Sequence, residues 1–186
     1  MARIQVVEYE QSEGRLREIY DQIIKSRGKL AEVHKIQSLN PETIQSHMAL
    51  YLDIMFSASP LNRATRELIA VIVSRTNNCV YCVKHHAAAL QNYWKDEERI
   101  KSLIEGKDSE ILGAEELSIS QFARQLTMNP SAQMIDSKIR RLKSMGFSDR
   151  AILDMNLVIS YFNFVNRMVL GLGLELEKDA GEGYKY

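Results

Sequence analysis

The chain has 186 residues, 45% of them hydrophobic and 26% charged, and its 24 basic and 24 acidic residues balance to a net charge of zero. This composition is typical of a globular protein with a buried core, and the length suits one compact domain or two small fused halves. The zero net charge, and the lack of a face that combines aromatic with basic residues, argue against nucleic acid or an anionic membrane as a partner.

Apolar residues recur at helical spacing along the chain, and Asn, Ser, Pro and Gly residues mark the predicted helix ends. The predicted helices cover residues 16–24 (closed by Gly28), 41–56, 62–75, 79–93, 96–105, 115–128, 131–145 and 148–170. The segment 62–75 is too apolar for a surface helix and is predicted to be central. No stretch alternates apolar and polar residues as a strand would, so an all-α fold is expected.

The N-terminal residues MARIQVVEYEQSEG contain no apolar run that a signal peptide would need, and no stretch reaches the roughly 20 apolar residues of a membrane span. A cytoplasmic location is therefore expected. In that compartment, two cysteines three residues apart are more often catalytic or metal-binding than joined in a structural disulfide.

Two segments of the chain are similar to each other. Residues 63–73 read RATRELIAVIV and residues 150–160 read RAILDMNLVIS, so that Glu67 corresponds to Asp154. At the same offset, Cys79 corresponds to Asn166 and Cys82 to Val169. We interpret the chain as two diverged copies of one helical unit, of which only the first retains the thiols.

The stretch from Glu67 to His86 carries the candidate chemistry. On a helix, Cys79, Cys82 and His86 fall within about 60° of one another, so their side chains can meet. Asn77 and Asn78 are predicted to cap this helix, which would place Cys79 in its first turn. Both a helix N-terminus and a nearby imidazole favour the reactive thiolate, and two thiols one turn apart can close into a disulfide.

Glu67, on the preceding helix, could orient His86 or accept a proton through it. These arguments do not decide which thiol attacks, because Cys79 is nearer the helix N-terminus and Cys82 is nearer the imidazole. Tyr81 is interpreted as a packing or hydrogen-bonding residue. The remaining histidines, His34, His47 and His85, are interpreted as surface or structural.

The spacing of these residues resembles the motif of the AhpD-like (alkylhydroperoxidase D) branch of the carboxymuconolactone decarboxylase superfamily. That motif is Glu, an eleven-residue gap, Cys-x-x-Cys, three residues and His, and it stands here as Glu67, Cys79, Cys82 and His86. The Cys-x-Tyr-Cys form and the segment NFVNRMVLGLGLELE are similar to the peroxidase-related subgroup.

The resemblance implies an AhpD-like helical bundle that assembles as a homo-oligomer, often a trimer or hexamer, and reduces hydroperoxides. Cys82 would attack the peroxide, Cys79 would resolve the sulfenic acid as a disulfide, and His86 and Glu67 would relay the proton. Well-known peroxidases of the family carry a second histidine where this chain has Tyr81, which predicts weaker activity or a different oxidant.

The resemblance divides the chain into an N-terminal helical extension (1–40), a core with the Cys-x-x-Cys motif (41–128) and a C-terminal helical repeat without cysteines (129–180), packed as one compact unit. No flavin or nicotinamide fingerprint is present, so no cofactor is expected, and the reductant would be a small thiol or a partner protein.

Three alternatives compete with the peroxidase. Cys79, Cys82 and His86 could bind a metal with Glu67 or water as a fourth ligand, although zinc sites usually draw ligands from separate segments, and no metal is expected. The same disulfide could serve a non-enzymatic redox-sensing oligomer. Ring-opening lactone decarboxylation is a further activity of the superfamily, but it needs no cysteine pair, so the retained thiols argue against it.

Overall fold

The computed structural model describes residues 2–177, and this part of the chain contains α-helices, one short 3-10 turn at Tyr9–Gln11 and no β-strand. The all-α prediction is confirmed. The helices are α1 Gly14–Arg27, α2 Glu32–Lys35, α3 Pro41–Phe56, α4 Arg63–Thr76, α5 Val80–Trp94, α6 Glu97–Glu105, α7 Asp108–Ile111, α8 Ala114–Met128, α9 Ala132–Ser144 and α10 Asp149–Leu172. The last residues of the predicted C-terminal unit, 178–180, lie outside the described residues.

Helix α4 forms the centre of the molecule, as its apolar sequence predicts. Every residue from 66 to 74 is buried, and the helix packs against α5, α8 and α10. Its first turn is capped by the Asn62 side chain, which accepts a hydrogen bond from the backbone N–H of Thr65 at 2.8 Å. A helix buried on all sides offers a rigid, dry position for any polar group that it carries, and Glu67 occupies such a position.

The connection between α4 and α5 differs from the predicted capping. Asn77 ends α4, and Asn78 adopts a left-handed conformation with a φ of 56°, which asparagine tolerates better than most residues. The N-cap of α5 is therefore Cys79 itself, not an asparagine. As a result, Cys82 rather than Cys79 lies in the first turn of the helix.

The similar segments 63–73 and 150–160 carry the same ion pair. Arg63 contacts Glu67 four residues later on α4, and Arg150 contacts Asp154 four residues later on α10. Asn166, which corresponds to Cys79, is completely buried, accepts a hydrogen bond from Asn77 at 3.0 Å and donates one to Ser74 at 3.2 Å. The counterpart of the first thiol is thus a buried amide that contacts the end of α4.

The sequence of helix α10 is apolar almost all round, which is typical of a helix that is buried or lies at a subunit interface. Met155 and Phe162 are buried, whereas Leu157 and Phe164 remain 42% and 52% exposed. One face of α10 therefore belongs to the core, and another presents apolar side chains outward. Among residues 2–177, no helix combines the length and apolar character needed to cross a bilayer.

Candidate active site

A cavity of about 90 Å³ lies between the N-terminal helices, α5 and α10. All four histidines of the chain line it, together with Cys82, Arg27 and three tyrosines: His34, His47, His85, His86, Tyr51, Tyr81 and Tyr161. His34, His47 and His85, which were interpreted as surface or structural residues, also line this cavity beside the predicted thiol.

The two thiols lie in contact with each other, and one of them lines the cavity. Their sulfur atoms are 2.8 Å apart, both cysteines are free, and both are buried. Cys82 lines the cavity, whereas Cys79 is not among its lining residues. A small molecule in the cavity would therefore meet Cys82 first and would reach Cys79 only through it.

The contact between the two thiols shifts their pKa values in opposite directions. The hydrogen bond with Cys82 lowers the pKa of the Cys79 thiol. The same hydrogen bond, together with burial, raises the pKa of Cys82, while a hydrogen bond from the Asn166 amide partly opposes that rise. The first proton is lost most easily from Cys79, but the cavity exposes Cys82. The identity of the attacking sulfur stays a prediction.

Glu67 is completely buried and binds two partners, one at each carboxylate oxygen. Oε1 accepts hydrogen bonds from Nε and Nη2 of Arg63 at 3.0 and 2.5 Å, and Oε2 lies 2.7 Å from Nδ1 of His86. Burial alone would raise the pKa of the Glu67 carboxyl, but His86 and Arg63 outweigh it and lower that pKa. The structure thus brings Glu67 and His86 into direct contact.

This contact determines the tautomer of His86. An ionised carboxylate can only accept hydrogen bonds, so Nδ1 of His86 carries the hydrogen that points to Glu67. In the neutral ring, Nε2 is then the basic nitrogen, and His86 lines the same cavity as Cys82. A carboxylate–imidazole pair beside a thiol is an arrangement suited to proton transfer during nucleophilic attack.

A second hydrogen-bond chain, which the sequence reasoning missed, ends at Tyr161. The Gln37 amide nitrogen donates to the Val33 carbonyl at 2.8 Å and lies 2.8 Å from Nδ1 of His47. Nδ1 therefore accepts, and Nε2 of His47 donates to the Tyr161 hydroxyl at 2.6 Å. Burial lowers the pKa of His47 to about 4, so its ring is neutral.

The Tyr161 hydroxyl stays protonated and can donate a hydrogen bond to an acceptor in the cavity. Burial raises the pKa of its hydroxyl well above the ordinary value, with smaller contributions from Tyr51 and Cys82. Because the oxygen already accepts from His47, the remaining role of the hydroxyl is to donate. The only sequence signal for this residue was its apolar surroundings on α10, which indicate burial and not chemistry.

Glu177 contacts two residues that line the cavity, Tyr81 and His85. Its Oε1 accepts hydrogen bonds from the Tyr81 hydroxyl at 2.8 Å and the Glu32 backbone N–H at 3.0 Å, and Oε2 lies 3.2 Å from His85. Burial alone would raise the pKa of Glu177, but the contact with His85 and the hydrogen bond from the Glu32 N–H outweigh it and lower that pKa to about 2. Tyr81 therefore forms hydrogen bonds, as predicted, and positions the end of the described chain.

A metal site does not emerge from this geometry. Within residues 2–177, no group of three or more His, Cys, Asp or Glu side chains is arranged to hold a metal ion. Cys79, Cys82, His86 and Glu67 instead interact in two pairs, thiol with thiol and imidazole with carboxylate.

Comparison with known proteins agrees with the predicted family. Residues 41–125 match the Carboxymuconolactone decarboxylase family. The uncharacterized protein YdfG of Bacillus subtilis (strain 168) is 28% identical over 115 residues, which cover 62% of this chain and 78% of YdfG.

Two solved structures share the fold over almost the whole chain. A peroxidase-related protein of uncharacterized function from Silicibacter sp. TM1040 is 27% identical with a TM-score of 0.81, covering 91% of this chain and 88% of that protein. A protein from Ralstonia eutropha JMP134, described as an alkylhydroperoxidase AhpD core, is 20% identical with a TM-score of 0.85, covering 97% and 94%. The second likeness concerns the fold alone.

Proposed function

We propose that the chain is a member of the carboxymuconolactone decarboxylase superfamily, in its AhpD-like branch, and that it is a thiol-dependent peroxidase that cycles between a Cys79–Cys82 dithiol and disulfide. The observation that carries the proposal is the position of the two touching thiols at a cavity which His86, held by Glu67, also lines. No other cluster of residues described above combines a nucleophile with a base.

The first step oxidises Cys82. His86 takes the thiol proton at Nε2, and the Cys82 thiolate attacks the outer oxygen of the hydroperoxide. The O–O bond breaks, an S–O bond forms, and the leaving alkoxide receives the proton from His86 to become the alcohol. Cys82 is now a sulfenic acid, and the peroxide has been reduced by two electrons.

The second step uses Cys79. Its sulfur attacks the sulfenic sulfur of Cys82, the S–O bond breaks, and the oxygen leaves as water with one proton from the sulfenic acid and one from Cys79. The starting sulfur–sulfur distance of 2.8 Å means that little movement is needed to form the bond. A thiol or protein reductant returns two electrons and two protons, which restores the dithiol.

Single-cysteine variants test the assignment of the two thiols. Cys82→Ser should abolish consumption of hydroperoxide and leave Cys79 unmodified. Cys79→Ser should consume about one equivalent and stop at a sulfenic acid that a dimedone-type probe traps. Mass spectrometry after one equivalent of hydroperoxide distinguishes them. A sulfenate on Cys79 in the Cys82→Ser protein would reverse the roles, and modification of neither variant would refute the peroxidase.

Turnover separates this proposal from a redox sensor that uses the same disulfide. A peroxidase consumes many equivalents of hydroperoxide when a dithiol reductant is supplied, whereas a sensor consumes one and stops. Both would operate where thiols are kept reduced, so we propose a cytoplasmic location. Zinc analysis of the purified protein tests the metal-binding alternative.

We also propose that the protein is a homo-oligomer, as its family suggests, with a trimer or hexamer as the expected state. The outward face of α10 exposes Leu153, Leu157 and Phe164, which are 53%, 42% and 52% accessible in the isolated chain. Apolar side chains grouped on one helix face are typical of a subunit interface. Sedimentation that shows only monomer at micromolar concentration would contradict this.

A further inference from the structure

Arg27 lies at the end of α1 and lines the cavity together with Cys82 and His86. Only 8% of the residue is exposed. Its guanidinium lies 4.8 Å from the centre of the Phe56 ring and 5.6 Å from that of the Tyr51 ring. Within residues 2–177, no carboxylate pairs with Arg27 and no hydrogen-bond acceptor contacts it, so a nearly buried cation stands beside the cavity without a counter-ion.

Such a cation is energetically unusual. Buried charges in proteins are normally paired, because their removal from water is energetically costly. Contact with the two aromatic rings offsets only part of that cost. The rings interact with the guanidinium as a whole and leave its N–H groups without acceptors, and these are the groups that bind a carboxylate in a two-point arrangement.

The cavity as a whole favours an anion. Among residues 2–177, no aspartate or glutamate lines the cavity. Burial lowers the pKa of His34 to about 3 and that of His47 to about 4, so neither ring competes with Arg27 for an anion. The nearby carboxylates are already engaged, Glu67 with Arg63 and His86, and Glu177 with His85. Among the residues that the structure describes, Arg27 is therefore a cavity-lining charge without a counter-ion.

We propose that Arg27 binds the carboxylate of the substrate, and that this substrate is a small organic hydroperoxide bearing an acid group. The inference rests on the proposed peroxidase function and names its substrate class. The carboxylate lies on Arg27 and takes no part in the reaction, while the peroxide group faces Cys82. The O–O bond is cleaved as described above, and the product is the hydroxy acid.

The test compares two hydroperoxides that differ only in charge, a tertiary alkyl hydroperoxide ending in a carboxylate and its methyl ester. Wild-type protein should consume the acid with a kcat/KM at least about 10-fold above that of the ester, a factor that corresponds to about 1.4 kcal/mol, because the carboxylate accepts charge-assisted hydrogen bonds from Arg27. Arg27→Met keeps an unbranched apolar stem against Phe56 and should remove this preference, so that the acid and the ester are consumed with similar kcat/KM.

Arg17→Met is the matched control. Arg17 lies on the same helix and also stacks on an aromatic ring, 4.0 Å from the centre of Tyr9, but it does not line the cavity. This variant should retain the preference for the acid. If Arg27→Met slows the acid and the ester equally, or if the wild type shows no preference, the carboxylate site is refuted while the peroxidase stands.

A binding measurement separates the two proposals. The probe is the same carboxylic acid with hydrogen in place of the hydroperoxide group. It is titrated calorimetrically into reduced wild-type, Arg27→Met and Arg17→Met protein. Binding that only Arg27→Met loses supports the anion site even if no hydroperoxide is consumed, in which case the peroxidase proposal alone fails. Binding to all three proteins alike, or to none, contradicts the anion site.

Discussion

Replacement of Glu67 by Gln should disable His86 by reversing its tautomer. Two N–H groups of Arg63 donate hydrogen bonds to Oε1 of Glu67, at 3.0 and 2.5 Å. In the variant, the amide oxygen must take this position, because only an oxygen can accept those bonds. The amide NH₂ of the new side chain must then point to Nδ1 of His86, where the carboxylate oxygen lay at 2.7 Å. Nδ1 becomes an acceptor, the ring proton moves to Nε2, and the base at the cavity is lost.

The size of the effect follows from two losses. To restore the productive tautomer, the variant must break a buried hydrogen bond, which costs about 1–3 kcal/mol. It also lacks the carboxylate that stabilises the imidazolium formed when His86 accepts the thiol proton. Together these predict that oxidation of the thiol slows by roughly 10²-fold, a factor that corresponds to about 2.7 kcal/mol. The products should not change.

The assay is a single turnover in which pre-reduced protein reacts with limiting hydroperoxide. The rate is measured from the disappearance of the peroxide. Asp154→Asn is the matched control, because Asp154 forms the corresponding ion pair with Arg150, at 2.8 Å, and does not line the cavity. The control should react at the wild-type rate. If Glu67→Gln reacts within about threefold of wild type, or if both variants slow alike, the proposed role of the carboxylate in orienting His86 is wrong.

Three further results are expected. Tyr161→Phe should slow oxidation by about 10-fold, because a donor to the peroxide is lost, and the His47 N–H left without an acceptor should cost about 1–3 kcal/mol of unfolding free energy in urea titrations. The unfolding free energy should fall as the pH drops from about 6 to 4, by up to about 1.4 kcal/mol per pH unit for each of His34 and His47. Their lowered pKa values mean that only the unfolded chain binds protons there, and His47→Gln should remove one of these two contributions to the slope. Asp108→Ala should lower the unfolding free energy by about 3–5 kcal/mol, measured by thermal or urea unfolding, without changing the turnover rate. Arg75 donates to both carboxylate oxygens of Asp108 at 2.7 and 2.8 Å, so the substitution leaves its charge without this counter-ion.

The sequence was most informative where the interactions are local or the spacing is specific. The helical periodicity predicted the all-α fold, and one helix turn between Cys79 and Cys82 predicted their contact. The pairing of Glu67 with His86 joins two helices, and it was expected because the spacing matches a family motif. The N-cap of α5 was misplaced by one residue, because Asn78 leaves the helical conformation and lets α4 and α5 meet at an angle.

Contacts between distant segments could not be predicted in this way. His47 and Tyr161 are 114 residues apart, and only the packing of α3 against α10 brings them into one hydrogen-bond chain. Arg27 is the last residue of α1. Basic residues are common near helix C-termini and are ordinarily exposed there. The burial of Arg27 depends on Tyr51 and Phe56 of α3, which no local pattern connects to α1.

The buried amide of Asn166 limits where a further thiol can be accommodated. A hydrogen bond from this amide partly opposes the rise in the pKa of Cys82 that Cys79 and burial cause. A cysteine introduced at position 166 would place a third sulfur near Cys82, where it would compete with Cys79 for the sulfenic acid. The asparagine at this position therefore supports the Cys79–Cys82 pair and excludes a competing disulfide.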